Sequence, residues 1–164
     1  MSYEDYSHSV YTASFIDAAM GSSVPWDVFV LRCSTSCRSG LREINLGQKS
    51  SAASVIQQLD ISLYRGGSTG TSTAPITPIN CKGWANAPSA GGTVTGPSSA
   101  TALTSAASLL YTDTTDVSGS ILIKPDPMEM IFEAGQTLLV KASQPAAAVT
   151  ITGTLKFEEL PFLK

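Results

Sequence analysis

Charge is scarce in this chain. Asp, Glu, Lys and Arg together supply 14% of its 164 residues, against about 25% in an ordinary globular domain. Part of the surface is therefore uncharged and suited to burial against other subunits. Ten basic and thirteen acidic residues leave a net charge of −3, with no basic run or stripe. Nucleic-acid binding is not expected, because phosphate contacts dominate such affinities and require one. No segment approaches the roughly 18 uninterrupted apolar residues of a membrane span, so no membrane contact is expected either. The first residues, Met1-Ser-Tyr-Glu-Asp-Tyr-Ser-His8, are polar and carry two acids. They lack the basic and apolar regions of a signal peptide.

Histidine and cysteine are scarce too. His8 is the one histidine, and Cys33, Cys37 and Cys81 are the three cysteines. Cys33-Ser-Thr-Ser-Cys37 offers half a metal site, but no second Cys or His pair follows to complete four ligands. Reduced thiols in an intracellularly made protein are expected, and no metal or cofactor. Gly66-Gly-Ser68-Thr-Gly70 has the spacing of a nucleophile elbow. It leads into Thr-Ser-Thr-Ala-Pro75 instead of a helix, and His8 precedes it, so no hydrolase is expected. Glu158 and Glu159 are adjacent. On a strand they point to opposite faces and cannot converge on one substrate; the pair reads as a solvated strand end. Asp113 and Asp116 flank two threonines in what reads as a turn, without the D-x-D-x-D-G pattern of a calcium loop. The chain is expected not to be an enzyme.

What is present is β patterning. Val149 to Glu158 alternates Val149, Ile151, Leu155 and Phe157 against Thr150, Thr152, Thr154 and Lys156. Period two over this length predicts a strand with one buried face. Gly153 lies on the apolar face and marks a bulge or a close approach. Thr137 to Ser143 repeats the pattern, and the two are expected to form a C-terminal antiparallel hairpin across Pro145. Further strands are expected at Val10 to Ile16, Trp26 to Cys33, Leu59 to Tyr64, Ile121 to Ile123 and Met130 to Phe132. A shorter one around Ile44 and Leu46 ends at Gly47. Weaker candidates lie near Ile76 to Cys81 and Leu109 to Thr112. The run Val28-Phe-Val-Leu31 implies burial on both faces. Trp26 reads as core, Trp84 as an aromatic under a long loop, and Met128 and Met130 as core or interface filler. Two stretches, 66–75 and 85–108, are rich in Gly, Ser, Thr and Ala. Leu103, Ala106, Ala107 and Leu110 have helical spacing, so a short helix is possible there. Many short strands with Gly/Pro/Ser turns indicate an antiparallel sandwich or barrel, one domain over 1–164 with a polar arm at about 1–9.

Three segments carry a resemblance. They are Leu59-Asp-Ile-Ser-Leu-Tyr-Arg-Gly66, Phe132-Glu-Ala-Gly-Gln-Thr-Leu-Leu-Val140 and Val149-Thr-Ile-Thr-Gly-Thr-Leu-Lys-Phe-Glu-Glu-Leu160. Their order resembles small virion proteins of tailed bacteriophages, most of all head decoration (cement) proteins. The resemblance implies a jelly-roll-like β-sandwich that assembles as a homotrimer on the capsid surface. Its partner there is the major capsid protein of the phage head. A tail, neck or fibre-tip module binding a host receptor or glycan is the alternative. Tyr3, Tyr6, Tyr11, Phe162 and Leu163 are the candidate interface residues, because they cluster apolar and aromatic surface at the two tails.

Overall fold

The fold was read from a computed structural model. It describes residues 9–22, 24–49, 58–67, 74–82, 88–99, 103–104, 106–116, 120–126, 129–143 and 147–161. The strands in chain order are β1 (Ser9–Met20), β2 (Trp26–Arg32), β3 (Cys37–Lys49), β4 (Gln58–Arg65), β5 (Pro75–Ile76), β6 (Ile79–Asn80), β7 (Thr93–Thr95), β8 (Ser98–Ser99), β9 (Ser108–Asp116), β10 (Ser120–Ile123), β11 (Ile131–Phe132), β12 (Thr137–Ala142) and β13 (Val149–Pro161). They form two antiparallel sheets packed face to face. Sheet A runs β10-β3-β13-β1-β6, with β11 added to β3; sheet B runs β5-β7-β2-β12-β4-β9, with β8 added to β2.

The pairing has a nested order. β1 pairs with β13, β2 with β12, β3 with β10, and β4 with β9. The chain is therefore one long antiparallel ribbon, doubled at β4–β9 and rolled so that its layers share a core. That is the jelly-roll arrangement of two sheets and two Greek keys. Sheet A contributes Tyr11, Ala13, Ile44, Leu46, Ile151, Leu155 and Phe157 to the core; sheet B contributes Phe29, Leu31, Ile61, Leu63, Leu138 and Val140. These are alternate positions of each strand, as period two requires. Val28, Val30 and Leu139 are buried as well, so the middle strands of sheet B are covered on both faces.

The expected apolar face of the last strand is the buried one: Val149, Ile151, Leu155 and Phe157 are all in the core. Gly153 belongs to the same face. A Cβ there would stand 2.6 Å from the Phe15 ring and 3.0 Å from Leu46. Phe15 in turn packs on Phe29, with ring centroids 5.1 Å apart. The glycine is thus the space in which Phe15 lies.

The structure corrects several expectations. The expected C-terminal hairpin does not exist. β12 lies between β2 and β4 in sheet B, whereas β13 lies between β1 and β3 in sheet A. Ser143 ends β12 by exchanging hydrogen bonds with the backbone of Asp60, and the chain then crosses the core. The short strand at Ile44 and Leu46 is the 13-residue β3, because β13 pairs with it from Lys49 to Cys37. The helical spacing at Leu103 to Leu110 yields no helix; its last residues begin β9, whose pairing with β4 outweighs a weak Ser-rich helical pattern. Asp113 and Asp116 belong to that strand and not to a turn. The Ile76 to Cys81 candidate divides into β5 of sheet B and β6 of sheet A. The polar arm stops one residue early, since Ser9 already belongs to β1.

Gly153→Ala is expected to lower stability by about 1–3 kcal/mol through overpacking. Urea unfolding reads this directly. Combining it with Phe15→Leu, which vacates the ring's place, is expected to cost less than the sum of the two single substitutions.

Candidate interaction surface

The outward side of sheet A is a flat field of small polar residues. Cross-strand register sets it out in rows. One row reads Ile79, Thr12, Lys156, Glu43; the next reads Ser14, Thr154, Asn45, Leu122; a third reads Thr152, Gly47, Ser120. The Ser14 and Thr154 hydroxyls bond each other at 3.0 Å. Hydroxyl pairs of this kind hold neighbouring strands together and leave the surface low and even.

Aliphatic residues stand at both flanks of this field. Ile79 on β6 is 71% exposed and Leu122 on β10 is 59% exposed. The strands that carry them are four strand spacings apart, about 19 Å. Ile16 is the most exposed of all, at 81%. It sits in a bulge of β1, where the register against β13 shifts between Phe15 and Ala18. Asp17 in the same bulge has φ 52°, the left-handed region. A non-glycine residue there costs of order 1–2 kcal/mol. The bulge re-aims the side chain before it: Phe15 goes into the core and Ile16 is turned out.

One end of the sandwich is polar instead. Glu158 is buried and ion-pairs with Arg42. Its carboxylate lies over Gly40, where a Cβ would meet Oε1 at 3.0 Å. Glu159, on the other side of the strand, accepts the backbone N–H groups of Gly91 at 3.1 Å and Gly92 at 2.7 Å. The two carboxylates do face apart, but neither belongs to a solvated strand end. Each fastens a neighbouring segment to β13. In sheet B, Lys141 pairs with buried Asp27 at 3.3 Å.

Of the sequence candidates, Tyr3, Tyr6, Phe162 and Leu163 lie outside the described residues, as do Ser68, His8, Trp84 and Met128. Tyr11 is not an interface residue. It is 1% exposed, its ring stacks on Phe157 at 5.5 Å, and its hydroxyl donates to the carbonyls of Pro88 and Ser89. Trp26 is half-buried against the core and donates its indole N–H to the Gly21 carbonyl; Met130 is packed there too. The residues that sequence reading missed are Ile16, Ile79 and Leu122. Two of them left a trace. Ile16 follows Phe15, and Leu122 stands between Ile121 and Ile123; where strict alternation fails, one apolar residue must face out.

No group of three or more His, Cys, Asp or Glu suited to a metal occurs among the described residues. A cavity of about 20 Å³ opens between Met20, Leu46, Leu59, Ile61 and Ile151. It has room for one water but aliphatic walls, so it offers a ligand nothing to hold.

Cys33 and Cys37 are buried, whereas Cys81 is exposed beside the Thr12 hydroxyl. Burial raises the pKa of both buried thiols and of the Tyr11 phenol. A thiol-specific reagent at neutral pH is expected to label Cys81 alone in the native chain and all three cysteines in denaturant. The same shifts fix a pH dependence. Below the ordinary thiol range, about pH 8.5, both states hold these protons and stability is flat in them. Above it the unfolded chain loses them first, so stability falls as pH rises, and falls again as unfolded tyrosine ionises near about pH 10. Urea midpoints taken from neutral to strongly alkaline pH test the slope.

No protein-family model matches the chain, and no curated protein matches it. Among solved structures, it has a likeness to the structure of infectious bursal disease virus, Gx strain. That likeness has 14% identity and a TM-score of 0.12, and covers 93% of this chain and 38% of that one. At that score it carries no argument about function.

Proposed function

We propose that the chain is a structural virion protein that decorates an assembled phage head, with the outward side of sheet A as its docking face. The observation that carries this reading is the face itself: a level field of hydroxyls flanked by exposed Ile16, Ile79 and Leu122. Such a surface loses little by giving up water. Neutral hydroxyls cost far less to desolvate than charges do, and aliphatic anchors contribute about 25 cal/mol for each Å² they bury. The bulge at Asp17 supports the same reading, since backbone strain is spent there in turning an isoleucine toward solvent.

The jelly roll is a fold that viral shells use, among other proteins. Fold alone assigns no task, so the weight rests on the face and on the resemblance of the three segments to decoration proteins. The partner is the major capsid protein. A protein that binds the assembled shell and not its free subunits stabilises the shell by mass action. Many copies tied to neighbouring subunits resist dissociation together.

Purified chain mixed with undecorated expanded heads is expected to co-sediment with them and to raise their disruption temperature. Ile16→Glu with Leu122→Glu is expected to weaken binding about 100-fold or more, because each buries a carboxylate without a partner, and to leave the fold unchanged. Heads that bind no wild-type chain, or that bind the double variant equally well, overturn the reading.

A further inference from the structure

The sandwich has four sheet edges, and they differ in a way that matters. Sheet A ends in β10, of four residues, and β6, of two. Sheet B ends at one side in β5, of two residues, one of them Pro75, which has no N–H to offer. Where β1 runs on past β6, its bulge at Phe15 to Ala18 breaks the line. Short strands, proline and bulges are the ordinary means of blunting an edge. The fourth edge has none of these over most of its length. β9 runs nine residues, Ser108–Asp116, with a register shift only at its beginning, and pairs with β4 alone among the described residues. Its sequence holds no Lys, Arg or Pro. A long edge without such devices is a template for a further strand.

The side chains on β9 favour one occupant. Tyr111 donates its hydroxyl to Asp113 Oδ2 at 3.0 Å, from two residues away on the same strand. An antiparallel pair of β9 strands related by a two-fold axis at Thr112 sets Tyr111 of each copy opposite Asp113 of the other. Each phenol donor then faces a carboxylate acceptor, and each Thr112 faces its own mate. That is self-complementary in the way an isologous interface requires. A head-to-tail contact with β5 has two residues and a proline to work with. The two Asp113 carboxylates fall on the diagonal, about 8 Å apart, where water and salt screen their repulsion. One donor on the strand is already in use: Thr114 N–H bonds Asp113 Oδ1 at 2.8 Å. Pairing must compete with that bond, which keeps the association reversible.

We propose that two copies of this chain associate through β9, continuing sheet B across a two-fold axis at Thr112. This does not depend on the decoration reading, and it leaves the outward side of sheet A free in both copies.

The full chain serves for the test. Sedimentation equilibrium is expected to give a monomer–dimer system with a Kd of about 1–100 μM. In a Cys81→Ser background under mild oxidation, Thr112→Cys is expected to cross-link to its own mate, since the residue on the axis meets itself. Leu122→Cys, away from the axis, is expected to give no such dimer. Thr112→Lys with Thr114→Lys places charge along the edge, and is expected to weaken the dimer about tenfold or more with the thermal transition unchanged. A chain that stays monomeric at about 200 μM overturns the inference. So does a trimer, or a dimer that tolerates the lysines and leaves Thr112→Cys uncross-linked.

Discussion

Everything in this fold depends on the seating of β13 between β1 and β3. It is the central strand of sheet A, and both its edges are bonded, to β3 from Thr150 to Pro161 and to β1 from Val149 to Glu159. Without it β1 and β3 have no common partner and sheet A divides. Its partners lie more than a hundred residues away in sequence, as do those of β2 with β12. Loop closure of that length must precede the contacts that reward it, so a slow, cooperative fold is the physical consequence.

The same strand organises the surfaces. Its inward residues fill the core, its outward threonines make the middle of the exposed field, and its last two glutamates fasten different segments on opposite sides. Glu158 can lie flat and buried because Gly40 has no side chain to displace it. Glu159 uses backbone donors at Gly91 and Gly92 in place of a cation. One strand thus sets core, face and loop anchorage together, which is why its alternation is so regular.

That regularity is what made β13 legible in the sequence, together with the burial of Val28 to Leu31 on both faces. The all-β class and the sandwich followed from local pattern. Partner choice did not. Strands β12 and β13 have the same alternation and a short link, which is equally compatible with a hairpin and with a crossing between sheets; the pattern states which side is buried but not which strand lies alongside. The length of β3 was hidden because Cys37 to Arg42 alternates poorly, its polar residues being satisfied by tertiary partners such as Glu158. The exposed face was only half visible. The threonines were read correctly as small and flat. Ile16, however, is turned outward by a bulge that depends on the backbone of Asp17, and nothing in the residues Phe15-Ile16-Asp17 names that conformation. Tyr11 was misplaced because its aromatic neighbours in sequence suggested a tail, whereas β13 draws it into the core.

The threonine field has one more property. Most surfaces that bind proteins carry enough charge that ionic strength tunes them. Here Lys156 and Glu43 are adjacent in register and offset each other, and the remaining positions are hydroxyls, an amide, a glycine and aliphatics. Coulombic attraction has little to act on. A contact made through this side of the sheet would hold as well in brine as in dilute buffer, and salts that are excluded from protein surfaces would tighten it.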